Sequence, residues 1–193
     1  VMGASGYIGR AVVRLLLGHP HVELASVCAN EQAGKRLDEV QPNLRGFTEL
    51  VFVKEPAPAD VTFLSLPHEE SMKIAPTLSG KVIDLSGAFR LQDKAAFEKY
   101  YKMPHTAWDS QKDFVYGIPE LHRGRIKEAR RVAAGGCFAT AAILSLRPLR
   151  DLADGQAIVD GKTGSSGSGH KPGEKPHHPF RSASFTAYAP FHP

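Results

Sequence analysis

Gly3-Ala4-Ser5-Gly6-Tyr7-Ile8-Gly9 decides the fold of this chain. Glycines at this spacing let a turn tighten and let its backbone approach a pyrophosphate. The apolar residues Ala11, Val12, Leu15 and Leu16 then recur at helical spacing until His19-Pro20 closes the element. A glycine turn that opens a helix is the phosphate-binding half of a dinucleotide site. Gly3, Ser5, Gly6, Tyr7, Ile8 and Gly9 are therefore the first candidate cofactor residues. Such a turn ordinarily follows a complete apolar strand; here Val1-Met2 precede it directly, so most of a first strand is expected to be missing.

Downstream the pattern alternates. Residues 22–28 form an apolar run rich in β-formers, 49–53 a second, 60–66 a buried third and 81–85 a fourth, with helical stretches at 69–78 and 93–101. Residues 116–121 read as a loop entering another helix, and 131–134 as a strand leading to Cys137. Strands alternating with helices indicate βαβ units and an α/β fold: a Rossmann-type doubly wound parallel sheet over residues 1–136. A second, truncated α/β (α+β) domain is expected over 137–193. It begins with a helix whose apolar face is Ala139, Ala142, Ile143, Leu146 and Leu149, followed by a strand at 157–162.

Composition narrows the function. The 193 residues are 42% apolar, enough for a real core, and the net charge of +4 comes from 24 basic residues scattered without an aromatic-interleaved run. That argues against nucleic acid and suits an anionic small molecule. Cys28 and Cys137 lie far apart without metal-ligand spacing, and no secretory segment or long apolar span is present, so a reducing, cytoplasmic setting away from membranes is expected.

Cys137 follows Gly135-Gly136 at the start of an apolar helical pattern. A helix N-terminus offers backbone N–H donors and a partial positive charge, which favour a thiolate and can hold an oxyanion beside it. This makes Cys137 the candidate nucleophile. Farther on, Asp160-Gly-Lys162-Thr-Gly-Ser165-Ser166-Gly-Ser168-Gly169 and His177-His178-Pro179-Phe180-Arg181 place hydroxyls and cations in a glycine-rich stretch suited to a phosphate or carboxylate. Ser165 is the candidate here for the cofactor, and Lys162, Ser166 and His178 for substrate. No metal is expected, because no Cys, Asp or Glu stands at ligand spacing around the histidine pair.

Five motifs in order carry a family resemblance: the glycine turn, Leu66-Pro67-His68, Val82-Ile83-Asp84-Leu85-Ser86 with Phe89-Arg90-Leu91, Tyr116-Gly117-Ile118-Pro119-Glu120-Leu121, and Gly136-Cys137. The chain resembles the N-acetyl-γ-glutamyl-phosphate reductase family, including its lysine-pathway branch acting on aminoadipyl phosphate. The resemblance implies an NADP(H)-dependent reduction of an acyl phosphate to a semialdehyde in arginine or lysine biosynthesis. Cys137 is the matching nucleophile and Arg90 the matching phosphate anchor. It also implies a homo-oligomer and a substrate that is free or linked to an amino-group carrier protein.

This chain departs from the family at three places. Ala29-Asn30 stand where a Ser-Arg pair commonly meets the cofactor's 2′-phosphate, leaving Lys35 and Arg36 as the nearest cations. Ala88 replaces an Asp that would orient Arg90, and Phe191-His192-Pro193 approaches but does not reproduce the segment bearing the family's acid/base histidine. Gly135-Gly136-Cys137-Phe138-Ala139-Thr140 and His177-His178-Pro179 lean toward the lysine branch, with both substrates open. Aspartate-semialdehyde dehydrogenase and a catalytically incomplete nucleotide-binding module are the competing readings.

Overall fold

Met2 joins the two halves of a parallel sheet. It forms single parallel bridges to Cys28 on one side and to Leu64 on the other, its N–H donating to Phe63 O at 2.9 Å and its carbonyl accepting from Ser65 N at 2.9 Å. The computed structural model describes residues 1–152, 155–169, 178–185 and 187. His177 and Phe191-His192-Pro193 lie outside the described residues.

The elements in chain order are α1 (Tyr7–Leu17), β1 (Val27–Cys28), α2 (Leu37–Val40), β2 (Phe52–Val53), β3 (Val61–Leu64), α3 (His68–Ile74), β4 (Lys81–Asp84), α4 (Lys94–Tyr101), β5 (Phe114–Gly117), α5 (Pro119–Glu128), β6 (Arg131–Ala134), α6 (Cys137–Leu146) and α7 (His178–Arg181). The hydrogen-bonded order is β2-β1, then Met2, then β3-β4-β6-β5, every pairing parallel. The order in which successive strands are added across the sheet reverses at Met2. The crevice outside the strand ends at such a switch point is where open α/β sheets take ligands, and the glycine turn begins there, at Gly3.

Two apolar clusters clasp the sheet. One gathers Leu64, Met72, Val82, Phe89, Phe97 and Phe114; the other gathers Val13, Val27, Leu37, Leu44 and Phe52. Phe89 and Phe114 stack with ring centroids 4.0 Å apart, and His105 is buried among Phe89, Phe97 and Trp108. Helix α4 starts where the Asp93 carboxylate accepts the Ala96 N–H at 3.1 Å, and it ends at Lys102, whose φ of 55° is left-handed.

The structure corrects several expectations. The runs at 22–28 and 49–53 shorten to two-residue strands. Tyr116-Gly117 are not loop but the end of β5, opposite Ala133 and Ala134 of β6. Glycine is a poor strand former, which hid the strand. It fits because a Cβ there would lie 2.8 Å from Val132 Cγ1 and 3.1 Å from Ala133 O. The strand expected at 157–162 has no ladder partner among the described residues, and Ile158 stands 99% exposed. On α1 the buried residues are Gly9 and Val13, while Leu15 is 69% exposed.

The chain divides into two compact units, Val1–Val159 and Asp160–Pro193; the described part of the second holds a 3₁₀ turn, Ser165–Ser168, and α7. No helix among the described residues is long and apolar enough to cross a membrane.

Candidate active site

The glycine turn is made by contacts that only glycine permits. Gly3 has φ +75°, and a Cβ on it would lie 2.1 Å from Ser65 O; a Cβ on Gly9 would lie 2.2 Å from Gly3 O and 2.7 Å from Ala4 Cα. The backbone can therefore fold flat against β3 while α1 starts one turn away. Gly6 is the N-cap of α1, with φ −73° and ψ 167°, and no side chain caps the helix. A narrow, uncapped helix start with glycines on both sides fits a pyrophosphate. Ala29 follows β1 directly, its N–H donating to Val53 O at 3.1 Å, and Asn30 opens a 3₁₀ turn over Asn30–Gln32. Of the two cations expected nearby, Arg36 is held by Asp38 through two hydrogen bonds of 3.0 and 2.9 Å, and Lys35 donates to Gln32 Oε1 at 3.1 Å.

The second group of residues gathers where β4 and β6 end. The Asp84 carboxylate, fully buried, accepts from Ser71 Oγ at 2.8 Å and from Ser86 N and Oγ at 3.1 and 2.7 Å; Ser86 Oγ in turn accepts the Ala88 N–H at 3.0 Å. His68 Nδ1 accepts the Gly87 N–H at 2.9 Å. Burial, and after it the positive charge of Arg90, hold this imidazole below the ordinary 6.5, consistent with a neutral ring that accepts at Nδ1. Together these bonds shape the turn that presents Arg90.

Arg90 does not need the carboxylate that Ala88 lacks. Its Nε donates to Ala134 O at 2.8 Å and its Nη2 to Leu85 O at 2.9 Å, so two strand-end carbonyls aim the guanidinium. Nη1 sits 3.0 Å from the place a Gly136 Cβ would occupy. Gly135 is glycine for a similar reason, since its Cβ would meet Thr140 Oγ1 at 2.4 Å. Cys137, exposed, opens α6 behind Gly136, whose φ of −71° and ψ of 150° make it the N-cap, and Thr140 N donates to Gly136 O at 2.8 Å. The other thiol, Cys28, is buried, and burial raises its pKa.

A cavity of about 430 Å³ opens beside this group, and its lining includes Arg90, His122 and Arg125 together with Leu91, Tyr116 and Ile143. His122, one of the lining residues, has no role in the sequence reading above. It sits where α5 departs from helical geometry, at φ −126° and ψ 21°. Nothing in its local pattern announces that break. His105, by contrast, is structural: its Nε2 lies 2.8 Å from Ala88 O, its Nδ1 accepts from Ala107 N at 3.3 Å, and burial lowers its pKa.

The structure thus brings Arg90 to Gly136 and Cys137, and the glycine turn to the end of β1. The remaining candidates belong to the second unit. Lys162 is exposed and pairs with Asp160 at 2.6 Å; Ser165 Oγ accepts from Arg181 Nε at 3.0 Å; Ser166 lies in the same 3₁₀ turn, and His178, exposed, begins α7.

Comparison with known proteins finds two matching family models. A family model described as semialdehyde dehydrogenase, NAD binding domain, matches residues 1–129, and a second, semialdehyde dehydrogenase, dimerisation domain, matches 137–192. A protein of Pyrococcus furiosus, provisionally named a LysW-L-2-aminoadipate/LysW-L-glutamate phosphate reductase, is 47% identical over 100% of this chain and 58% of its own length. The LysW-L-2-aminoadipate 6-phosphate reductase of Deinococcus radiodurans is 42% identical over 98% of the chain and 57% of its own. The chain therefore spans somewhat more than half the length of these curated relatives. Among solved structures, the crystal structure of aspartate semialdehyde dehydrogenase with NADP from Candida albicans superposes with a TM-score of 0.55 over 78% of this chain and 46% of the other, at 16% identity, a likeness of fold.

Proposed function

This chain belongs to the semialdehyde dehydrogenase family, and from that premise we propose that it carries the cofactor-binding and nucleophile-bearing part of an NADP(H)-dependent acyl-phosphate reductase. The observation that carries the reading is the exposed Cys137 at the start of α6, with the Arg90 guanidinium fixed against Gly136 beside it. Residues 1–136 hold the cofactor and Cys137 opens the catalytic part.

In this reading Cys137 Sγ attacks the carbonyl carbon of the acyl phosphate, the carbon–oxygen bond to phosphate breaks, and a thioester remains on the enzyme. Backbone N–H groups at the start of α6 face the negative charge that builds on the carbonyl oxygen. Arg90, with Nε and Nη2 engaged by carbonyls, has Nη1 left to hold the departing phosphate. NADPH, when bound at the glycine turn, supplies the hydride that converts the thioester to the aldehyde level. Departure of the semialdehyde returns Cys137 to its starting form.

The substrate proposed is the carrier-linked phosphate of aminoadipate, with the glutamate analogue as the alternative. Both are named for the Pyrococcus relative, and the first for the Deinococcus one. The cavity supports an aliphatic acid of this kind, since Leu91 and Ile143 can take methylene groups while Arg90, His122 and Arg125 face an anion. The match to a dimerisation domain over 137–192 supports a homodimer. The test is a reverse assay on the full-length gene product: reduction of NADP⁺ with each carrier-linked semialdehyde, with and without inorganic phosphate. Phosphate-dependent reduction is expected. Reduction that proceeds equally without phosphate would contradict the reading.

A further inference from the structure

Gln41 is fully buried, yet its side chain is polar and reaches across the fold. It follows α2, where its N–H donates to Leu37 O at 2.8 Å, and its Nε2 donates to Ala4 O at 3.0 Å, inside the glycine turn. The other half of the amide, Oε1, is buried without a hydrogen-bond partner among the described residues. Reversing the amide would set one acceptor against another. The donor end is therefore the half that the structure uses, and it acts on a single peptide of the turn.

That peptide has a second face. All peptides described are trans, so the Ala4 carbonyl and the Ser5 N–H point in opposite directions, and drawing the carbonyl toward Gln41 turns the Ser5 N–H away from it. The neighbouring donors are occupied: Gly3 N and Ala4 N both donate to Cys28 O at 3.0 Å, and Gly6 N donates to Gly3 O at 3.2 Å. Ser5 N has no protein acceptor among the described residues. A second side chain fixes the next peptide, since Arg10 Nε donates to Ser5 O at 3.2 Å.

We propose that Gln41 is a positioning residue for the cofactor: by holding the Ala4 carbonyl it keeps the Ser5 N–H aimed at the pyrophosphate. This rests on the cofactor reading above. The role is separable from packing, because Gln41→Met has similar length and removes both the hydrogen bond and the unpartnered oxygen.

The test is binding to the full-length protein of two probes, NADP⁺, which has the pyrophosphate, and adenosine 2′-monophosphate, which lacks it. Gln41→Met is expected to raise the Kd for NADP⁺ about tenfold, the loss of one hydrogen bond to a charged group, and to leave adenosine 2′-monophosphate within about twofold. Equal weakening of both probes, or of neither, would overturn the proposal. A measurement on the wild type guards against a variant that does not fold: on adding NADP⁺ the Ser5 amide proton resonance should shift downfield more than those of Gly3 and Ala4. An unmoved Ser5 resonance would overturn it too. A wild type that does not bind NADP⁺ at all removes the cofactor reading itself, whereas a variant that binds like the wild type removes only the role of Gln41.

Discussion

Among the described residues, the glycine turns before α1 and α6 are built on opposite plans. Gly6 and Gly136 have nearly the same backbone angles, and neither α1 nor α6 has a side-chain cap. Around the first turn a Cβ would strike backbone, at Ser65 O and Gly3 O; around the second it would strike side chains, at Arg90 Nη1 and Thr140 Oγ1. Helix α1 buries Gly9 and Val13, whereas α6 buries no residue fully. The first turn is a shape made of main chain, suited to a ligand recognised by N–H groups. The second makes room for reactive and charged side chains.

The comparison can be broken most severely at Gly3. Gly3→Ala adds a Cβ at φ +75°, 2.1 Å from a main-chain oxygen that cannot swing aside, so a stability loss of about 3 kcal/mol or more and loss of NADP⁺ binding are expected. Denaturant unfolding with cofactor titration checks this; a variant that keeps both stability and affinity would show that the turn adapts. At the second turn the neighbours are side chains, so the cost falls on chemistry. Arg90→Lys cannot reproduce two carbonyl contacts together with a free Nη1, and kcat/KM for the acyl phosphate should fall by about 10²-fold. If KM for phosphate in the reverse direction does not rise, Arg90 is not the phosphate anchor.

The smallest effect expected is on acid stability. His68 and His105 both lie below 6.5 in the folded state, mainly through burial, so the unfolded chain binds more protons as pH falls through that value. Stability is fully present above about pH 6.5 and declines below it, through the lowered folded-state values. Thermal melts should show a lower midpoint at pH 5.5 than at 7.5, and H68Q/H105Q should reduce the difference. A midpoint that rises on acidification would contradict the assignment.

How far the sequence could be read follows the same division. The glycine turn is local, and its position at the switch of the sheet follows from the βαβ rhythm. The strand at 131–134 and the helix start at Cys137 were equally legible, because apolar runs and a glycine pair mark them. The orientation of Arg90 was not, since Leu85 O and Ala134 O come from two strands and no sequence spacing records that they meet. Gln41 stayed hidden for the same reason: its partner Ala4 is 37 residues away. The β-formers Ile158 and Val159 misled, because a strand needs a neighbour and propensity does not supply one.

The most direct test of the central claim concerns Cys137. Full-length protein mixed with the acyl phosphate in the absence of NADPH should release a burst of about one equivalent of phosphate per protomer and gain the acyl mass on the peptide containing Cys137. Cys137→Ala should show neither, with turnover reduced by about 10⁴-fold or more. A Cys137→Ala protein that still gives the burst and turns over like the wild type would contradict the account.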